Sequence, residues 1–175
     1  MKSFIVALLA TLGLLVSSTP AEAAKPSLSR DNRIVYVDLR DMGNPQGWDP
    51  YRVQAGLNFI DGYTSSRFIY VPGQGCRAGY RCVHILPAPT YGTPCGGQAY
   101  LGCTIYYNYD MARIWLTPLI LTQSSANRLK IVVHELGHAM GLLVHASTKG
   151  SVMYRYATSA RLAFTRDEVF VLSLH

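Results

Sequence analysis

Residues 134–145 read His134-Glu135-Leu136-Gly137-His138-Ala139-Met140-Gly141-Leu142-Leu143-Val144-His145, and the fold is legible from this stretch outward. Positions four apart in an α-helix lie one above the other on the same face. His134 and His138 are so spaced, and both can offer an imidazole nitrogen to one metal ion. Glu135 lies between them, one step round the helix, where its carboxylate reaches water beside that ion without ligating it. Two histidines and a glutamate in this pattern suit a zinc ion doing hydrolytic work. Zinc lowers the pKa of a bound water from about 15.7 to about 7, and Glu135 is placed to take the proton and later hand it to a leaving amine.

A hydrolytic zinc needs a third protein ligand, and His145 is the source the sequence offers. On an unbroken helix His145 would share the face of His138 but sit about 10.5 Å further along the axis, too far for one ion. The helix must therefore break. Gly141 can take the left-handed conformation that the break requires. The other reading leaves His145 on the surface, with water or another side chain completing the site.

The flanking chain supports a single domain over 24–175. The 175 residues are 49% hydrophobic and 15% charged, enough for one real core and unlike a disordered chain. The net charge of +6 comes from scattered Lys and Arg with no run of four or more, which reads as a solvated surface with no nucleic-acid signature. Residues 1–23 have Lys2, an apolar run from Phe4 to Val16 and small residues at Ala21 and Ala23. This is the pattern of a cleaved signal peptide, and the apolar run is short for a membrane span. A secreted chain with no membrane insertion after cleavage is expected. Cys76, Cys82, Cys95 and Cys103 then read as two disulfides, in any of three pairings. A zinc site built from the four thiolates is the rival, and no C-x-x-C pair supports it.

Arg33–Arg40, Arg67–Val71, Arg81–Leu86, Thr104–Tyr109 and Ala112–Leu116 are expected strands, rich in β-branched and aromatic residues. A first helix is expected over about 50–61, capped by Asp49, with Tyr51, Ala55, Phe59 and Ile60 as its stripe. A second is expected over about 125–141, burying Leu129, Val132, Val133, Leu136, Ala139, Met140 and Leu143. Thr165 and Glu168 form a capping-box pattern ahead of a C-terminal helix. His84 alternates as a strand residue and reads as structural. His175 is expected to be exposed. Residues 87–102 read as a long loop that needs a disulfide staple.

The sequence H-E-L-G-H-A-M-G, a downstream histidine, S-V-M-Y and the tail A-F-T-R-D-E-V-F-V-L-S-L resemble the metzincin zinc endopeptidases, most of all the matrixin branch. The strong resemblance covers about 124–174. It implies an α+β, zincin-like single domain with a mixed twisted sheet, an active-site helix, a Met-turn and a C-terminal helix. It implies one catalytic zinc on His134, His138 and His145, Glu135 as general base, and Met153 as a packing floor below the metal. Protein or peptide substrates and a monomer follow from it. Calcium is common in such relatives, but no clear acidic loop offers a site here, and the histidines of a second zinc are missing.

Two departures stand out. The family places its third histidine three residues after the glycine, a position held here by Val144. Arg155 stands where matrixins carry proline and where astacin-like relatives carry tyrosine. Tyr154 and Tyr156 are left as pocket residues, Tyr156 also as a donor to a tetrahedral oxyanion. The alternative to an enzyme is a secreted zinc-binding, non-catalytic adhesion or toxin-like module, which the displaced histidine keeps open and the retained Glu135 argues against.

Overall fold

The computed structural model describes residues 34–39, 49, 51–71, 75–78, 80–88, 100–108, 110–156 and 162–175. The expected leader over 1–23, the polar arm to 32, Pro50 and Cys95 lie outside the described residues.

Five strands form one sheet: β1 (Ile34–Asp38), β2 (Arg67–Tyr70), β3 (Arg81–Pro87), β4 (Gly102–Asn108) and β5 (Met111–Leu116). Their order is β2-β1-β3-β5-β4. The pairs β1/β2, β1/β3 and β3/β5 are parallel, and β4 returns antiparallel to β5 as the terminal strand of the sheet. The architecture is α+β, as the sequence implied. Alternate residues of the strands are buried, as the period of two demands: Val35 and Val37, Val83 and Ile85, and Ala112, Ile114 and Leu116. They join Val53, Leu57 and Ile60 of helix α1 (Val53–Asp61) and Val132, Val133, Leu136 and Ala139 of helix α2 (Ser125–Ala139) in one core.

Helix α1 starts later than its Asp-Pro signal suggested. Arg52 takes a positive φ of 66°, and its N–H closes a turn on the Asp49 carbonyl at 3.1 Å. Asp49 still caps the helix, because its two carboxylate oxygens accept from Val53 N and Gln54 N at 2.7 and 3.0 Å. The fully buried face is Val53, Gly56, Leu57 and Ile60, so of the expected stripe Ile60 is buried while Tyr51 and Phe59 are partly buried against the core. Gly56 is what lets α1 approach α2. A methyl group there would lie 2.6 Å from Val132 Cγ1.

Helix α2 is capped by the Ser124 hydroxyl, which accepts from Asn127 N at 3.3 Å. It ends at Ala139, two residues short of expectation. Leu143 is consequently 39% exposed, and Leu142 is buried in its stead. Helix α3 (Arg166–Ser173) has the full capping box. Pro118 opens a short 3-10 helix, Pro118–Thr122, directly after β5.

Cys76 and Cys82 form a disulfide, and Cys103 is also disulfide-bonded. The thiolate zinc reading therefore fails at these three cysteines. His84 stands opposite Asp38 across β1 and β3, its Nδ1 3.4 Å from the buried Asp38 carboxylate, which is a structural pairing. His175 is buried at 4% exposure, contrary to expectation. The Ser66 hydroxyl donates to its backbone oxygen and accepts from the fully buried Arg81 guanidinium at 3.2 Å, so the last residue is docked into the fold. No helix among the described residues is long and apolar enough to cross a membrane.

Gly56→Ala should overpack the α1/α2 contact and cost about 1–3 kcal/mol in urea denaturation. Adding Val132→Ala should recover part of that loss, giving a non-additive pair. Simple additivity would show that the two sites do not touch.

Candidate metal centre

The end of α2 builds the site. Gly141 N–H donates to the His138 carbonyl at 2.8 Å, and Leu142 N–H donates to the Gly137 carbonyl at 3.0 Å. This pair of bonds is a Schellman ending, with Gly141 at φ 101° as its left-handed residue. The chain reverses there, and the residue beyond the family spacing is accommodated outside, where Val144 is 79% exposed. His145 returns to the helix.

Three imidazoles converge as a result. His138 Nε2 lies 3.1 Å from His134 Nε2 and 3.3 Å from His145 Nε2. The ring centroids are 4.7 to 5.1 Å apart. The opposite nitrogens are committed elsewhere. His134 Nδ1 donates to the Val152 carbonyl at 2.9 Å, and His138 Nδ1 donates to the Leu142 carbonyl at 2.5 Å. A carbonyl only accepts, so these Nδ1 atoms carry the protons and the Nε2 atoms present lone pairs. Lone pairs packed this closely repel unless a cation sits among them. Two ligands at about 2.0–2.1 Å from a tetrahedral zinc stand roughly 3.3 Å apart, which matches the spacing found. The residues therefore fit the ion. Burial and the neighbouring His138 push His134 down to about 3, and burial with Arg155 nearby lowers His145, so both favour the neutral, ligating form.

Glu135 faces the same cleft and is 5% exposed. Burial pushes its carboxyl up to about 7, while a hydrogen bond from Thr104 pulls the other way. Thr104 Oγ1 lies 2.8 Å from Glu135 Oε2 and 2.9 Å from the Glu135 carbonyl, so one hydroxyl of β4 ties down both side chain and helix. On the other side a methyl at Gly102 would lie 3.2 Å from Glu135 Oε1, a tight approach that would press on the carboxylate. Tyr106, also on β4, donates its hydroxyl to the His138 carbonyl.

Met153 is fully buried beneath the helix. A methyl on Gly137 would meet its sulfur at 2.6 Å, so the glycine inside the H-E-L-G-H run makes room for it. The turn bearing Met153 is held by Ser151, whose hydroxyl accepts from Met153 N at 2.9 Å and donates to the Glu168 carboxylate at 2.8 Å. Glu168 also accepts from Thr165 N at 2.6 Å. The α3 capping box thus anchors the turn that presents Val152 to His134.

The cleft has a volume of about 370 Å³. Tyr100, Leu101 and Gly102 line one side, and Tyr154, Arg155 and Tyr156 line another. Tyr154 and Tyr156 pack edge to face at 5.6 Å, and Arg155 lies over the Tyr156 ring. Helix α2 adds Lys130 and Ile131 beside His134 and Glu135. Thr104, Tyr106, Ser151 and Lys130 were not singled out from the sequence. Lys130 had a legible signal, since it precedes His134 by four residues on the helix face that carries His138. The other three depend on contacts between elements far apart in the chain.

Residues 89–171 match the family model described as Matrixin. That span contains the three histidines, Glu135 and Met153. The segment carrying the site is matrixin-like, and its class is that of the zinc metallopeptidases. No curated protein sequence matches the chain. Similar solved structures include a zinc-dependent peptidase from Methanocorpusculum labreanum (strain Z), with 12% identity, 79% of this chain and 100% of that chain covered, and a TM-score of 0.49.

Gly141→Ala should strain the left-handed turn by about 1–2 kcal/mol. By displacing the Leu142 carbonyl from His138 it should also weaken zinc binding about 10–100-fold in a chelator competition. Wild-type zinc affinity in this variant would show that the turn does not orient the ligand.

Proposed function

We propose that the chain is a secreted zinc-dependent endopeptidase in which His134, His138 and His145 hold one zinc ion and Glu135 is the general base. The observation that carries this reading is the convergence of three imidazole Nε2 atoms beside a buried carboxylate in one open cleft. Zinc, when bound, supplies the Lewis acid that polarises the scissile carbonyl and acidifies a water. Glu135 takes the proton from the attacking water and delivers it to the leaving amine nitrogen. Thr104 holds one carboxylate oxygen, and the absence of a side chain at Gly102 leaves the other oxygen room to work. Burial raises the proton affinity of the Glu135 carboxylate, which suits a group that must accept a proton.

The substrate is a peptide in extended form. Strand β4 ends the sheet and its first residue, Gly102, lines the cleft, so a peptide main chain can lie along that edge. Tyr154 and Tyr156 form the opposite wall, and Tyr156 is 53% exposed, free to meet substrate. Export is supported by the leader pattern over 1–23 and by the Cys76–Cys82 disulfide, a bond that persists in oxidising compartments.

The zinc-loaded protein should digest casein in a chelator-sensitive way. Glu135→Gln should lower the rate about 10²–10⁴-fold with zinc content unchanged. Undiminished hydrolysis by that variant would end the proposed role of Glu135. A wild-type protein that binds zinc and cleaves no peptide would favour the non-catalytic module.

A further inference from the structure

Lys130 is a buried cation at the cleft. It lies one helical turn before His134 on the same face of α2, lines the cleft and is 2% exposed. Its Nζ donates to the Tyr156 carbonyl at 3.3 Å, the one acceptor it has among the described residues. An ammonium carries three donors. Burial lowers its pKa, with no carboxylate near enough to oppose the shift. From residue 62 to residue 166 the chain contains two acidic residues, Asp110 and Glu135. Glu135 is committed to Thr104. Arg155 adds a second positive charge, exposed at the wall of the same cleft.

A buried ammonium with spare donors is costly unless an anion meets it. Helix α2 could carry methionine or leucine at this position and fill the same space without that cost. The cleft therefore has a built complement for a carboxylate, a short distance along the helix from the reacting centre. We propose that Lys130 selects substrates by pairing with a carboxylate of the peptide, the side chain of a Glu or Asp residue flanking the cleaved bond, with Arg155 drawing it in at the rim. This deepens the peptidase reading and rests on it for the identity of the ligand as a peptide. A carboxylate also occurs at a peptide's C-terminus, and the two sources are separable by experiment.

The test uses the zinc-loaded, full-length Glu135→Gln protein and peptides identical except at one scanned position, which carries Glu, Gln, Leu or Lys. Each peptide is made with a free and an amidated C-terminus, and binding is read by fluorescence anisotropy. At one position Glu should bind at least tenfold tighter than Gln in the amidated series, and Lys should bind weakest. Lys130→Met in the same background should bring Glu and Gln within about twofold while Leu binds as well or better, which also shows that the variant is folded. Equal binding of Glu and Gln at every position, or a Glu preference that survives Lys130→Met, overturns the proposal. A preference seen for the free C-terminus alone overturns the side-chain assignment. Wild-type protein that shows the Glu preference in binding yet cleaves none of the peptides supports the pocket and removes the peptidase reading, so the two failures are distinct.

Discussion

Helix α2 has to stop, and the left-handed turn at Gly141 is what stops it. Along an intact helix the third histidine would be carried away from the first two at about 1.5 Å per residue. The two Schellman hydrogen bonds satisfy carbonyls that the ending would otherwise strand, and the reversal brings the Leu142 carbonyl onto His138. One backbone feature therefore closes the helix, orients one ligand ring and returns His145 to the site. A side chain at residue 141 would work against all three.

The rest of the fold holds that arrangement still. The sheet contributes Thr104 and Tyr106 from its terminal strand, one gripping Glu135 and the other the His138 carbonyl. From below, the turn carrying Met153 fits against Gly137 and presents the Val152 carbonyl to His134. Glu168 in α3 secures that turn through Ser151. Each imidazole on the helix thus has its proton-bearing nitrogen fixed by a backbone carbonyl from a different loop. Fixing both rings in this way holds their Nε2 atoms in one place.

The same layout separates charges by task. The carboxylate of Glu135 is buried in the cleft that His134 and His145 also line, where burial raises its proton affinity. The ammonium of Lys130 is buried one turn away on the same helix, where burial lowers its own. Neither is neutralised by the other. Buried titratable groups with perturbed pKa values gathered at one cleft mark it as a candidate functional site.

The chain's own pattern was sufficient for the elements and for the pair of histidines. Strand alternation, the i and i+4 spacing of His134 and His138 and the Thr165/Glu168 capping box are local signals, and local geometry follows from them directly. The early end of α2 was half legible, since Gly141 marked the break but not its position at Ala139. Local reading failed where a residue answered to something distant. Helix α1 began at Val53 because Arg52 turned first, and its buried face followed Gly56 against Val132. His175 went inside because Ser66 and Arg81 were there to receive it. Whether His145 reached the other two rings, and whether Thr104 and Lys130 stood at the cleft, depended on the register of strand against helix and on the path of a loop. Those are set by packing between segments remote in the chain, and only the tertiary structure decided them.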